Sequence, residues 1–537
     1  MSVPDVIVVG GGSAGCLAAA RLVTEHGLRV LVLERGKARG PRLLDMPAGY
    51  MKWLNDETVL EMHRSEPQPQ LDGRGPIIPQ ARLLGGGSAV NAMVYMRGTA
   101  ADYDAWDREL GGGSGWAFAD LLPCFRRMEA NERLNDRFHG IAGELRVSDP
   151  GHVCAMSKAF VLAAQGQGHP RNDDFNGEAQ TGVGYLQYTI GDARRCGAVR
   201  AFLEPLRGDP RLTVLTEALV TRIVIKDGRA VGVVYRRGGT ETEIRCGREV
   251  LLAAGALNTP KLLMLSGLGP AEQLARHGIG LVRDLPGVGR NLQDHVEIPV
   301  VAAAARPGLG YAGQDRGWRM VVNGLQYLLF RTGPVTTIGV EACVFLDPDG
   351  GDRPTIQIYC VPVTTYLDRD VAGPGAREGV TLNACLLRPR SRGEVRLRSP
   401  DPADRPLLDT GTFAEPDDLR LILAGLEASR AILACEPLRS LTTAEVMPGA
   451  NADRAALEAH ARRTAKTNYH PVGTARMGRS GDPLAVLDAR LRVRGVDALR
   501  VIDCSAMPTI PAANTNAPVL ALAERAVQLM TADHAGG

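Results

Sequence analysis

At 537 residues the chain is too long for one compact core, so two or three domains are expected. Its net charge of +2, from 62 basic and 60 acidic residues, excludes the basic surplus of a nucleic-acid-binding protein. Hydrophobic residues make up 45% and charged residues 23%, as in water-soluble globular proteins; the 10 cysteines include no C-x-x-C pair and no zinc-spaced Cys/His ladder, so buried free thiols in a reducing compartment and no metal are expected.

The chain opens Met1-Ser2-Val3-Pro4 and enters the apolar run Val6–Val9 at once. A secretory signal would need a basic leader and a longer apolar stretch, and no gap-free apolar stretch approaches the ~20 residues that span a bilayer, so a cytoplasmic location is the expectation. Val6–Val9 is a short β-branched run, suited to a strand buried on both faces. The turn Gly10-x-Gly12-x-x-Gly15 leads into a helix-forming stretch, 16–25, and a second strand, 29–33, ends at Glu34 with Arg35 beside it. This is a βαβ unit, and it predicts a doubly wound parallel sheet. Gly10 permits a tight turn, Gly12 lets backbone approach a pyrophosphate, and Gly15 lets helix and strand pack closely. The helix start at Ser13 and Ala14 offers free N–H groups to phosphates. Glu34 lies about 20 residues on, where an acid holds ribose hydroxyls and favours FAD or NAD over NADP. The loop by itself does not decide between FAD and NAD.

Residues 40–79, rich in Pro, Asp and Gly, read as an irregular surface segment. A second glycine-rich loop follows at Gly85-Gly86-Gly87-Ser88, then helices near 102–110 and 120–132. Alternating patterns at 212–220 and 222–235 predict strands, with an Asp227-Gly228 turn. Residues 249–255 read as a buried strand running into a small-residue turn. From about 301 to 464 the texture is mixed, with strand-like runs at 355–361, 380–387 and 394–397 and amphipathic helices at 417–434 and 454–465. Arg388, Arg390, Arg392, Arg396 and Arg398 read as a solvated strand face. The chain closes with a strand at 499–503 and a helix near 519–530.

Several segments resemble the signatures of the glucose-methanol-choline (GMC) oxidoreductase family. These are Arg82-x-Leu84-Gly85-Gly86-Gly87-Ser88-Ala89-Val90-Asn91, running on to Tyr95-Met96-Arg97-Gly98; Gly255-Ala256-Leu257-Asn258-Thr259-Pro260; Leu285-Pro286-Gly287-Val288-Gly289-Arg290-Asn291-Leu292-Gln293-Asp294-His295; Asn468-Tyr469-His470-Pro471-Val472-Gly473-Thr474; and Asp503-x-Ser505-x-Met507-Pro508. They occur in the family's order along essentially the whole chain, most like its bacterial choline-dehydrogenase-like and alcohol-dehydrogenase branch. The resemblance implies an α/β fold, α+β overall. A Rossmann-like FAD-binding domain with a parallel sheet would be assembled from 1–155, 195–300 and 465–537. A substrate domain, an antiparallel sheet covered by helices, would take 156–194 and 301–464.

It also implies FAD. Ser88 and Asn91 would reach the phosphates and the flavin ring, with Arg82, Gly86, Gly87, Ala92, Met93 and Val94 in the same segment. Val220, Ala254 and Gly255 would lie along the adenosine, and Asp503, with Cys504 and Thr515, along the ribityl chain. Where some members carry the histidine that bonds FAD covalently, this chain has Val90, so non-covalent FAD is expected. His470 is the expected general base for a hydroxyl proton, with hydride passing to the flavin and Asn514 orienting the substrate oxygen. His295 is expected to support the fold. Tyr469 is expected to line the pocket. Glu341 would be placed to meet a quaternary ammonium, but Tyr327, Phe330 and Phe345 form no evident aromatic cage, so a neutral alcohol is favoured over choline. Oxygen, a quinone or another acceptor would reoxidise the flavin, and the protein would be a monomer or a dimer. An FAD-containing lyase of the same fold and an NAD-dependent dehydrogenase are the alternatives.

Overall fold

The computed structural model describes residues 3–365 and 371–535. Val6–Val9 is the centre of a five-stranded parallel sheet, in the order 212–215, 30–33, 6–9, 249–252, 499–501. Every residue of Val6–Val9, Val30–Leu33 and Glu249–Leu252 is buried, as the β-branched runs require of a sheet covered on both faces. Helix Ser13–Thr24 packs against the C-terminal helix Asn516–Ala535, so the two ends of the chain share one core. The strand-rich stretch after 212–215 is a three-stranded antiparallel sheet, 219–226, 229–237 and 240–245. Its first turn carries Asp227 at φ 50° and Gly228 at φ 75°, the two positive φ values of a type I′ hairpin.

A second sheet has seven strands, in the order 442–447, 296–304, 379–386, 356–361, 342–346, 182–185, with 466–467 also pairing onto 296–304. Helices Ala155–Gly166 and Pro416–Leu433 cover one face. Side chains alternate across a strand. Val296, Ile298, Ile356, Ile358, Leu382 and Ala384 therefore point into the helix-covered core. The residues between them, Glu297, Tyr359 and Asn383, point the other way, towards the parallel sheet's side of the molecule, and line a cavity there.

Most expected elements overlap observed ones, although the last helix is longer, Asn516–Ala535, and the strand expected over 212–220 is split into Leu212–Leu215 and Leu219–Lys226. Other departures are larger. Residues 40–79 hold three short 3₁₀ turns and a strand, Leu60–Arg64, paired antiparallel with Ile77–Ala81; the pieces are too short to show a period. The helix expected over 120–132 stops at Met128, and Glu129–Asn131 is a strand beside Leu145–Val147. The seven-stranded sheet takes Gly182–Tyr185 from one part of the chain and resumes with Val296–Ala304, a strand not foreseen from the sequence. Strand Gly393–Arg396 pairs with Arg290–Leu292 on one side and with Leu407–Asp409 on the other, and Val395 and Leu408 pack with Ile78 and Leu257. A helix not foreseen from the sequence, Gly317–Phe330, stands on the surface.

Candidate functional site

The two glycine loops meet. Gly10 has φ 105°, and a Cβ there would lie 2.2 Å from the Ala253 carbonyl oxygen. A Cβ on Gly15 would lie 2.0 Å from the Gly10 oxygen, and one on Gly86 only 2.7 Å from Gly12 Cα. Gly85 N–H donates to Gly11 O at 2.6 Å. Together the loops border a cavity of about 400 Å³ whose lining includes Gly12, Ser13, Ala14, Gly86, Gly87 and Asn91. Helix Ser13–Thr24 begins at this wall with no capping side chain and no acid in its first turn, and Ser13 donates to Asn516 Oδ1 at 2.7 Å. A free helix N-terminus beside backbone without side chains fits the pyrophosphate of a dinucleotide. Glu34 lines the same cavity while accepting from Gly11 N (2.8 Å) and Gly36 N (2.6 Å). Asp503 accepts from Gly255 N (2.8 Å), Thr259 Oγ1 (2.6 Å) and Ser505 N (2.9 Å), which fixes its carboxylate at the lining.

His470 sits at the far end, 8% exposed. Its backbone N–H donates to Asp294 Oδ1 at 2.8 Å, and burial pushes the Asp294 carboxyl up to about 7. His470 Nδ1 lies 3.0 Å from His295 Nδ1, and His295 Nε2 lies 3.0 Å from the Leu387 carbonyl oxygen. That carbonyl can only accept, so His295 carries its proton on Nε2 and presents Nδ1 as an acceptor. The shared bond then requires the proton on His470 Nδ1, which leaves a lone pair on His470 Nε2. Burial, and then the neighbouring His295, hold the His470 pKa well below an ordinary histidine's; burial pushes His295 down to about 4. Both rings are therefore neutral near pH 7. Asn514 Nδ2 lies 3.3 Å from His470 Nε2 and 3.3 Å from the Tyr359 hydroxyl. A base, an amide and a phenol thus converge on one point.

Of the residues expected to hold the cofactor, Gly10, Gly12, Ser13, Ala14, Glu34, Arg35, Gly86, Gly87, Asn91, Ala92, Met93, Val94, Val220, Ala254, Gly255, Asp503, Cys504, Asn514 and Thr515 line the cavity, as do Tyr469 and Val90. Gly15 stands behind the wall as a packing residue. Two expectations are corrected. The Ser88 hydroxyl is buried and spent on the protein, donating to Gly85 O at 2.7 Å and accepting from Ala198 N at 2.9 Å. Arg82 has an exposed side chain and enters the structure through its backbone. Glu341 is a third correction. It precedes strand Ala342–Leu346, is 0% exposed, and turns to the opposite side of the sheet, where Ser157 and Thr337 donate to it; it does not border the cavity. Arg388 is no solvated strand face either, since it ion-pairs with Asp102.

Glu297, Tyr359, Asn383 and Lys466 line the cavity without having been singled out in the sequence. Their only signal was alternation within strands. Lys466 forms an ion pair with Glu297 and lies 5.4 Å from the centre of the Tyr469 ring. Tyr469 has φ 66° and Met93 φ 60°, so two non-glycine residues at the lining hold left-handed backbone, the kind of strain that clusters at working sites. Asp136, His139 and Asp174 also gather their ligand atoms. Burial lowers the His139 pKa, but hydrogen bonds to Asp174 and Glu129 outweigh it and raise the ring to about 9.

A family model described as GMC oxidoreductase matches residues 4–297, and a second of the same description matches 389–523. An alcohol dehydrogenase (acceptor) of Pseudomonas putida is 39% identical over 535 residues, covering 98% of this chain and 95% of that protein. An oxygen-dependent choline dehydrogenase of Brucella ovis is 37% identical over 524 residues, covering 97% and 94%. The crystal structure of pyridoxine 4-oxidase from Mesorbium loti is similar with a TM-score of 0.89 at 32% identity, covering 98% of both chains.

Proposed function

We propose that this chain, which belongs to the GMC oxidoreductase family, uses His470 Nε2 as the base that takes the hydroxyl proton of its substrate. The protein is an FAD-dependent oxidoreductase that oxidises an alcohol to an aldehyde or ketone. FAD, when bound, supplies the acceptor for the hydride. Gly10, Gly12, Ser13 and Ala14 would hold its pyrophosphate, Glu34, Val220, Ala254 and Gly255 its adenosine, and Asn91, Asp503, Cys504 and Thr515 its ribityl and ring end. Val90 offers no nucleophile at the lining, which favours non-covalent binding.

The observation that carries the reading is His470 at the cavity lining, with Nε2 3.3 Å from Asn514 and Nδ1 turned to His295. A substrate hydroxyl entering between them would give its proton to Nε2. The Asn514 amide and the Tyr359 hydroxyl would then hold the oxygen as it gains negative charge. His295 keeps the imidazole in the one tautomer that can do this. The substrate is a neutral alcohol on this reading, because the Glu297 carboxylate at the lining is engaged by Lys466 rather than set to meet a quaternary ammonium. We assign a dehydrogenase rather than an oxidase, in line with the relative named alcohol dehydrogenase (acceptor).

An anaerobic panel of primary, aromatic and quaternary-ammonium alcohols tests both points. Neutral alcohols should bleach the flavin band, choline should not, and air admitted afterwards should restore it slowly. A yellow protein that no alcohol bleaches would point to a lyase.

A further inference from the structure

Half of the large apolar side chains left exposed among the described residues belong to one 14-residue helix, Gly317–Phe330. Trp318 is 73% exposed, Leu329 69% and Phe330 70%. At 100° per residue, Trp318, Val321, Val322, Leu325, Leu328 and Leu329 fall on one arc about 120° wide. The opposite side carries the attachments: Asn323 donates to Gln314 O at 3.0 Å, and the buried Tyr327 donates through its hydroxyl to Ala193 O at 2.9 Å. The usual amphipathic arrangement is reversed, with polar groups towards the protein and the apolar stripe in water.

We propose that this face docks the enzyme on an anionic lipid surface, as a helix lying in the interface rather than spanning it. This does not rest on the redox reading. No helix among the described residues is long and apolar enough to cross a membrane. The arc has the composition of an interfacial helix, with a tryptophan at one end and long aliphatic side chains along it. Arg316, Arg319 and Arg331 are exposed around it, against one acid, Asp315, 3.9 Å from Arg316. A second copy packed on the same face through a two-fold axis would set these cations against their own equivalents. Anionic headgroups would neutralise them while the arginine stems cover the margins of the stripe. The helix runs on into the 3₁₀ turn Pro334–Thr336, which packs against Pro47–Trp53; Tyr50, Trp53, Ile338 and Val340 line the cavity. Docking would therefore bring the cavity wall to the lipid.

Flotation of the flavin-loaded protein with vesicles of equimolar phosphatidylglycerol and phosphatidylcholine tests the proposal, with phosphatidylcholine vesicles alone as the comparison. The protein should float with the anionic vesicles and less with the neutral ones. The double variant Leu325→Glu, Leu329→Glu should lose at least about tenfold of the floated fraction, with flavin content and melting temperature unchanged. A wild-type protein that stays at the bottom of the gradient, or a variant that floats as well, overturns it. A dimer in sedimentation velocity that the variant abolishes, with no vesicle binding, would give the face to a second copy instead.

Discussion

His470 holds its proton on Nδ1 because His295, tied to the Leu387 carbonyl, offers only a lone pair in return. A base must be neutral to act, and the His470 pKa lies well below the ordinary 6.5, from burial first and from His295 second. Protonation of the free enzyme would switch the base off, so the acid limb of kcat/KM should fall below pH 6.5. A limb at pH 7 or above would mean that another group controls the reaction. His470 and Asn514 were legible in the sequence because their motifs are local. Glu297, Tyr359, Asn383 and Lys466 were not, since which way a strand residue faces is settled only when the sheet has neighbours on both sides. Glu341 shows the converse: its carboxylate turns to Ser157 and Thr337, across the sheet from the cavity.

The glycine loops are the element on which cofactor binding depends most directly. Gly10 combines φ 105° with a Cβ direction that ends 2.2 Å from a backbone oxygen, so Gly10→Ala meets both strain and collision with an atom that cannot swing away. This variant should purify with little or no flavin, measured as the ratio of visible to ultraviolet absorbance; a fully yellow Gly10→Ala protein would contradict the account of the loop. The βαβ unit could be read from the sequence because its period is regular and its turn residues are diagnostic. Helix Gly317–Phe330 could not. Gly317, Gly324 and the Val321-Val322 pair lower its helix propensity, and its apolar stripe faces water rather than a core.

Across the whole molecule, the site is a junction. Ser13 from the first helix bonds Asn516 at the start of the last, and His470 leans on His295 and on Asp294 from the middle of the chain. The cofactor side and the seven-stranded sheet each supply one wall, so neither works without the other. That both ends of the chain contribute to one domain was expected from the family resemblance, and strands 6–9 and 499–501 lie in one sheet on either side of 249–252. The strand Val296–Ala304 was not legible in the sequence, because it continues without a break from the motif that precedes it. The central claim, that these distant segments assemble an FAD-dependent alcohol oxidoreductase with His470 as its base, is tested most directly by stopped-flow flavin reduction in wild type and His470→Ala without oxygen. The variant should remain yellow and reduce its flavin about 10²- to 10⁴-fold more slowly; a yellow variant that reduces it at the wild-type rate would contradict the account.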